Sequence, residues 1–276
     1  MFDAQDPIEY LTHRLAAGGH CFYMPNGGNL GDNLIASATV QRFDKAGLPW
    51  QFTRDRRREV RPGDLLVYGG GGSLVSLYQG GIDCIAHLQS LGAQVVVLPQ
   101  TVNGHADFWR NSGPVTVFCR DMESARYLQQ FPQVMALPAH DMALGLDLTD
   151  DPFTTVLAFR EAYARRGETR VLRAFRGDSE AAGVIPDDTL DLPALSYPPL
   201  LSVTSLHGHT CTFLAALAGY SAIHTDRLHV AIAGGLLGIP VVLSDNVYGK
   251  NSAVFAASLK DRFPSMAFEP RPLARA

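Results

Sequence analysis

The sequence lacks the features that mark most specialised chains. Only four cysteines occur, at Cys21, Cys84, Cys119 and Cys211, and no two form a CxxC pair. That spacing argues against a zinc finger and against a disulfide framework. All four read as buried free thiols. No apolar run approaches the ~20 residues that cross a bilayer as a helix. Basic residues are not in excess: 23 Lys and Arg face 27 Asp and Glu, a net charge of -4. A nucleic-acid binder would usually be basic, so nucleic acid is not expected as a partner. The opening MFDAQDPIEY begins with acids and has no basic-then-apolar leader layout, which makes the cytoplasm the expected location. Neither GxGxxG nor a Walker loop is present, so a nicotinamide or P-loop nucleotide site has no support.

What is present is an ordinary globular composition, 46% apolar and 18% charged over 276 residues. At about 150 residues per domain that is one large domain or two small ones. Short β-rich runs alternate with helical stretches. HCFYMP, DLLVYG, QVVVLPQ and VTVFC read as strands, and DNLIASATVQRFDKAG and MESARYLQQF as helices. Such alternation predicts βαβ units and parallel sheets. After TDDP at 149–152 the pattern resumes, with TRVLRAFR, SAIHTD and PVVLSD as strands and RLHVAIAGGLLG as a helix. The expected fold is α/β: two Rossmann-like lobes, 1–148 and 149–276. In open α/β sheets ligands bind at the carboxyl ends of the strands, so the site is expected in a cleft between the lobes.

Five motifs fall at strand ends. The first is Asn26-Gly-Gly-Asn29-Leu-Gly31-Asp32-Asn33. Its glycines let a ligand approach the backbone, and a following helix would offer free N–H groups to an anion. The competing reading makes Asp32 a helix cap. The second is Gly69-Gly70-Gly71-Gly72-Ser73, too rich in glycine for a plain turn. The third carries Arg120, which is either an anion ligand or the partner of Asp121 or Glu123. In the fourth, Arg173-Ala-Phe-Arg176-Gly-Asp178, alternation puts Arg176 at the sheet's mouth. The fifth, Thr225-Asp226-Arg227-Leu228-His229, opens a helix with a cation and an imidazole, and Lys250 follows the next strand. His207-Gly-His209 could be a metal pair but has no third ligand at suitable spacing, so no metal is expected.

These segments together resemble the polysaccharide pyruvyl transferase family. The matching pieces are GNLGD (28–32), GGGGSL (69–74), LPQT (98–101), FCRDMES (118–124), HDMAL (140–144) and, most distinctively, TDRLHVAIAGGLLGIPVVLSDNVYGKN (225–251). The resemblance implies a fold like the two-lobed, GT-B-like glycosyltransferases. It also implies transfer of pyruvate from phosphoenolpyruvate to a sugar of a bacterial exopolysaccharide or cell-wall glycan, or of its lipid-linked precursor.

A donor with about three negative charges needs clustered cations and helix N-termini. On that reading His229, Arg227 and Asp32 are the candidate catalytic residues. Asn29, Gly31, Gly70, Gly71, Gly72, Ser73, Arg120, Arg176 and Lys250 are the candidate binding residues. The chemistry calls for no metal and no organic cofactor. A nucleotide-sugar glycosyltransferase is the rival reading, and a non-enzymatic scaffold a second. Residues 54–61 hold five arginines and two acids. They read either as a solvated loop or as a transient contact with the inner membrane surface.

Overall fold

The computed structural model describes residues 3–53, 60–183, 185–196 and 202–270. The chain divides into two compact units: Met1–Asn26 with Ala38–Gly145, and Gly27–Ser37 with Leu146–Ala276.

The first unit holds α1 (Pro7–Leu15), β1 (Cys21–Met24), the latter part of α2 (Leu30–Lys45), β2 (Trp50–Phe52), β3 (Leu65–Tyr68), β4 (Gly71–Val75), α3 (Gly80–Ser90), β5 (Gln94–Asn103), α4 (Ala106–Asn111), β6 (Val115–Cys119), α5 (Met122–Leu128) and β7 (Val134–Pro138). Its strands form one parallel sheet in the order β2-β1-β3-β5-β6-β7, with β4 also paired to β5. Both faces of a parallel sheet are covered, so its central strands are apolar throughout rather than alternating. Every residue of β3 and β6 is buried. Leu66, Val95, Val97 and Val117 belong to one buried cluster with Ile85 and Leu88 of α3, Trp109 of α4 and Leu128 of α5. Tyr23 of β1 meets Phe43 of α2 edge to face at 5.4 Å.

The second unit holds α6 (Thr154–Ala164), β8 (Val171–Ala174), α7 (Val203–Ala218), β9 (Ala222–Thr225), α8 (Leu228–Leu236), β10 (Val241–Leu243), α9 (Lys250–Val254) and β11 (Met266–Phe268). The strands make a parallel sheet in the order β11-β10-β9-β8. Two glycines set the packing of α8. A Cβ on Gly234 would stand 2.8 Å from Val241 Cγ2, and one on Gly235 would stand 2.8 Å from the Phe263 ring. At Gly234 the helix backbone lies directly on β9 and β10, and at Gly235 it lies against the Phe263 ring before β11, which explains the paired glycines.

The α/β class and its parallel sheets are as the sequence reading expects. Several details differ. Residues 27–37, placed by the sequence in the first lobe, belong to the second unit, as do 146–148. The start of α2 is held there by α7: the Thr210 hydroxyl donates to the Asn33 carbonyl at 3.2 Å. The glycine run is partly strand, because Gly71–Val75 pairs with β5 through a register shift. The strands β2, β7 and β11 escape the sequence reading because they are edge strands with partly exposed residues and not unbroken apolar runs. The last helix is brief, five residues of α-helix running into a wider π turn at Phe255–Leu259. Two of the four thiols, Cys84 and Cys211, are only half-buried. Among the described residues no helix is long and apolar enough to cross a membrane. Residues 54–59 of the arginine-rich segment lie outside the described residues.

Candidate active site

The second unit brings the first and fifth motifs together. Asn29 caps α2: its Oδ1 accepts from the Gly31 N–H at 2.8 Å. Asp32, in the first turn, reaches back, and its Oδ2 accepts from the Asn29 N–H at 2.9 Å. This reciprocal pair resembles a capping box, with the Asn29 side chain on the second helical N–H and Asp32 returning to the Asn29 N–H. A Cβ on Gly28 would collide with the Asp32 carboxylate, which accounts for that glycine. Asp32 thus has the capping role that competed with its candidacy as a base. Gly31 faces His229: a Cβ there would lie 3.0 Å from both Cβ and Nδ1 of the histidine. The N-terminus of α2, where peptide dipoles favour negative charge, therefore adjoins the first turn of α8.

Arg227 is the residue before α8, and its N–H donates to Thr225 Oγ1 at 2.9 Å. Leu228 is buried, as expected for the residue between two polar neighbours. The Arg227 side chain meets carboxylates. Its Nε donates to Asp191 Oδ1 at 2.9 Å, its Nη2 also pairs with Asp191, and its Nη1 lies 3.0 Å from Asp178 Oδ2. Arg176 takes the other side of Asp178 through two parallel bonds of 2.7 and 2.9 Å. Arg176 Nη1 then donates to Glu180 Oε2 at 2.6 Å, and Lys250 Nζ donates to the same oxygen at 2.6 Å. Asn246 Nδ2 and the Tyr248 hydroxyl complete four donors on that oxygen, at 2.9 and 3.0 Å.

The result is a chain of alternating charge: Asp191, Arg227, Asp178, Arg176, Glu180, Lys250. Arg176, Arg227 and Lys250 are all buried, and desolvated cations persist only when paired in this way. The sequence reading found the three cations and missed that each is matched by an acid. One signal was available, since Arg176 and Glu180 are four residues apart beside Asp178. Asp191 comes from a distant loop and leaves no local trace.

Burial tends to raise the Asp178 carboxyl. The hydrogen bonds and charge of Arg176, with the charge of Arg227, outweigh it and hold the group below the usual carboxylate range. An unfolded chain therefore takes up this proton at a higher pH than the folded one does. The stabilisation is fully present above the ordinary carboxylate range and is lost as pH falls through the lower, folded value. Asp178→Asn should accordingly flatten the acid limb of stability. Denaturant midpoints measured from neutral pH down to pH ~2.5 check this, and parallel curves for parent and variant would contradict it.

Other expected binding residues lie in the first unit, where they are built into its frame. Arg120 is 1% exposed. Its Nη1 donates to Asp141 Oδ2 at 2.7 Å and its Nε to Thr101 Oγ1 at 2.9 Å. The Thr101 hydroxyl donates in turn to Asp121 Oδ2 at 3.1 Å, and Asp121 Oδ1 caps α5 at Ser124. Three of the motif segments, LPQT, FCRDMES and HDMAL, thus interlock around one buried guanidinium. The partners of Arg120 include Asp141 and Thr101, which give this buried guanidinium a bracing place in the first unit.

The glycine run is framed likewise. Gln100 accepts from the Ser73 N–H at 3.2 Å and donates to the Gly69 carbonyl at 2.7 Å. The Tyr68 hydroxyl donates to Asn26 Oδ1 at 2.7 Å and lies 3.1 Å from Ser73 Oγ. Gly71 has φ of 142°, a conformation that favours glycine. Gly70 is buried and Gly72 half-buried. His207 comes from α7 and meets residues of the same unit. Its Nδ1 lies 2.5 Å from the Ser37 hydroxyl, and its ring packs edge-on against Phe153. Burial pushes up the thiols of Cys21 and Cys119, which suits inert core positions.

No curated protein matches the sequence. Among solved structures, the fold is similar to the crystal structure of a protein of uncharacterized function from Klebsiella pneumoniae subsp. pneumoniae NTUH-K2044. The TM-score is 0.78 and the identity 29%, over 95% of this chain and 96% of that one. The family model described as polysaccharide pyruvyl transferase matches residues 29–246, from the capping Asn29 through the RLH helix to Asn246 beside Glu180. This chain belongs to the polysaccharide pyruvyl transferase family.

Proposed function

We propose that the protein transfers pyruvate from phosphoenolpyruvate to two hydroxyls of a sugar in a polysaccharide or its lipid-linked precursor, forming a ketal and releasing phosphate. The observation that carries this reading is the meeting of the α2 N-terminus with His229, in a unit that also gathers Arg176, Arg227 and Lys250. Two helix starts and three cations suit a small, dense anion better than a nucleotide base.

The chemistry balances without an added oxidant or reductant. A proton adds to the methylene carbon, and one sugar hydroxyl oxygen bonds to the central carbon. The second hydroxyl oxygen bonds there as the carbon–oxygen bond to phosphate breaks, and phosphate leaves with the electron pair. Both hydroxyl protons are lost, one replacing the proton given to carbon and one departing with phosphate. His229 is the proton donor in this reading, because an imidazole can give and take a proton under mild conditions. Arg227 neutralises the donor's charge, assisted by Arg176 and Lys250. No metal or organic cofactor takes part. Asn29, Gly31 and Asp32 act on the reaction by fixing the helix end against which His229 rests.

Gly31→Ala tests that arrangement. Its new methyl needs the space of the imidazole, so His229 must shift by a few tenths of an ångström or more. Turnover should fall about tenfold or more, since small misplacements of a reacting group are costly. KM for phosphoenolpyruvate should change far less, and the melting temperature should stay near the parent's. A variant with parental kcat would show that His229 does not depend on this contact.

A further inference from the structure

We propose that the place between Arg176 and Arg227 is a carboxylate site that the protein fills with its own Asp178, and that a planar carboxylate of the donor exchanges with it. The inference rests on the reading of the donor above and adds an internal competitor to it.

The geometry is that of a bound ligand. The Asp178 carboxylate makes two parallel bonds to Arg176, at 2.7 and 2.9 Å, and a third contact to Arg227 at 3.0 Å. A fork-to-fork pair with one guanidinium, shared with a second, is how arginines recognise free carboxylates. The three acids of the charge chain are not equally fixed. The Glu180 side chain is 4% exposed and that of Asp191 is 22% exposed, whereas Asp178 is 40% exposed. Glu180 carries four donors on one oxygen and clamps Arg176 and Lys250 together. Asp178 has, besides the two arginines, one local bond from the Glu180 N–H at 3.1 Å. It lies in the loop after β8, next to Gly177, where an added Cβ would meet only Ile185 Cδ1, at 3.9 Å.

Asp178 can therefore turn to water while Glu180 and Asp191 keep the arginines in position. Its departure empties the fork of Arg176 and one face of Arg227. Asp226, fully buried, stays bound through Oδ1 to the Arg176 N–H at 2.8 Å, so the attraction for a carboxylate lies in the emptied guanidinium fork and not in the net charge around it. With Asp178 in place the chain is neutral and the arginine forks are filled. This explains how a buried cluster with no excess charge could still serve an anionic donor. No covalent step is involved.

The test is calorimetric titration of the whole protein with phosphoenolpyruvate, pyruvate and inorganic phosphate. Four proteins are compared: the parent, Asp178→Ala, Asp178→Asn and Asp188→Ala. The last removes the same charge from an exposed carboxylate that pairs with Arg173 instead. If the competitor occupies the site about nine-tenths of the time, removing it tightens apparent binding about tenfold. Asp178→Ala should show that gain for phosphoenolpyruvate and for pyruvate, which has the carboxylate without the phosphate. Asp178→Asn should gain less, since its amide oxygen still accepts, and it carries the test if the alanine variant does not fold. Asp188→Ala should match the parent.

Weaker binding by Asp178→Ala, or a gain no larger than that of Asp188→Ala, overturns the inference and leaves the donor reading standing. A gain for inorganic phosphate without one for pyruvate also overturns it, because the site would then not be a carboxylate site. Failure of all four proteins to bind phosphoenolpyruvate overturns both.

Discussion

His229→Ala protein should turn over about 10²–10⁴-fold more slowly than the parent, the usual range for loss of a positioned proton donor. Its KM for phosphoenolpyruvate should stay within a few-fold, because the imidazole acts on the proton rather than on the bulk of the donor's charge. Arg227→Ala should show the opposite balance. Loss of a charge-assisted hydrogen bond typically costs ~1.5–3 kcal/mol, about ten- to a hundredfold in donor binding. Arg227→Lys should recover only part of this, since an ammonium cannot reproduce the guanidinium fork. Arg227 also holds Asp191 and touches Asp178, so thermal unfolding must accompany the kinetics for this residue. Steady-state rates of phosphate release over a range of donor concentrations separate the two effects. A folded His229→Ala protein that works at the parental rate would remove this histidine from the mechanism.

The largest effect on stability should come from the other unit. Arg120→Ala leaves the Asp141 carboxylate buried, at 2% residue exposure, without its cation. Breaking one side of a buried ion pair costs about 3–5 kcal/mol, a large share of a domain's stability. Denaturant unfolding of the purified variant should show that loss, or the protein should accumulate in inclusion bodies. Asp141→Ala should cost a similar amount. Replacing both together, as Arg120→Met with Asp141→Leu, should recover part of it, because no charge is then stranded. The measurement also decides what Arg120 is for. Parental stability of Arg120→Ala would contradict the bracing role, and weaker phosphoenolpyruvate binding by the folded variant would make Arg120 a donor ligand as well.

Much of the architecture was legible in the sequence because parallel strands buried on both faces write unbroken apolar runs. LLVY, VTVFC and the core of QVVVLPQTVN are such runs, and each became a central strand. WQF and MAF were not legible, since they are edge strands with partly exposed residues and so do not write an unbroken apolar run. The assignment of 27–37 was missed for a different reason. A helix looks continuous in sequence, whichever neighbours its two ends pack on, and only contacts such as Thr210 with Asn33 show which unit holds its start.

The candidate site was legible by residue type and less so by role. Placing Arg227, His229, Arg176 and Lys250 at strand ends followed from the β/α alternation. Pairing Arg120 with Asp141, or Arg227 with Asp191, requires knowing which loops meet, and residues 21 and 36 positions apart give no local sign of that. Asp32 shows the ambiguity of single motifs, because the same Gly-rich turn and acid serve a ligand or a helix cap. Here the carboxylate reaches the Asn29 N–H.

The central claim is that this chain moves pyruvate from phosphoenolpyruvate to sugar hydroxyls. The most direct measurement is phosphate release from phosphoenolpyruvate by the purified protein across a panel of glycans, with mass spectrometry of the saccharide. The account predicts release that depends on an acceptor, together with a product heavier than its acceptor by pyruvate less one water. It also predicts that His229→Ala lowers both signals in parallel, by about 10²–10⁴-fold. Transfer of a sugar from a nucleotide donor to the same acceptors, with phosphoenolpyruvate untouched in every case, would contradict it.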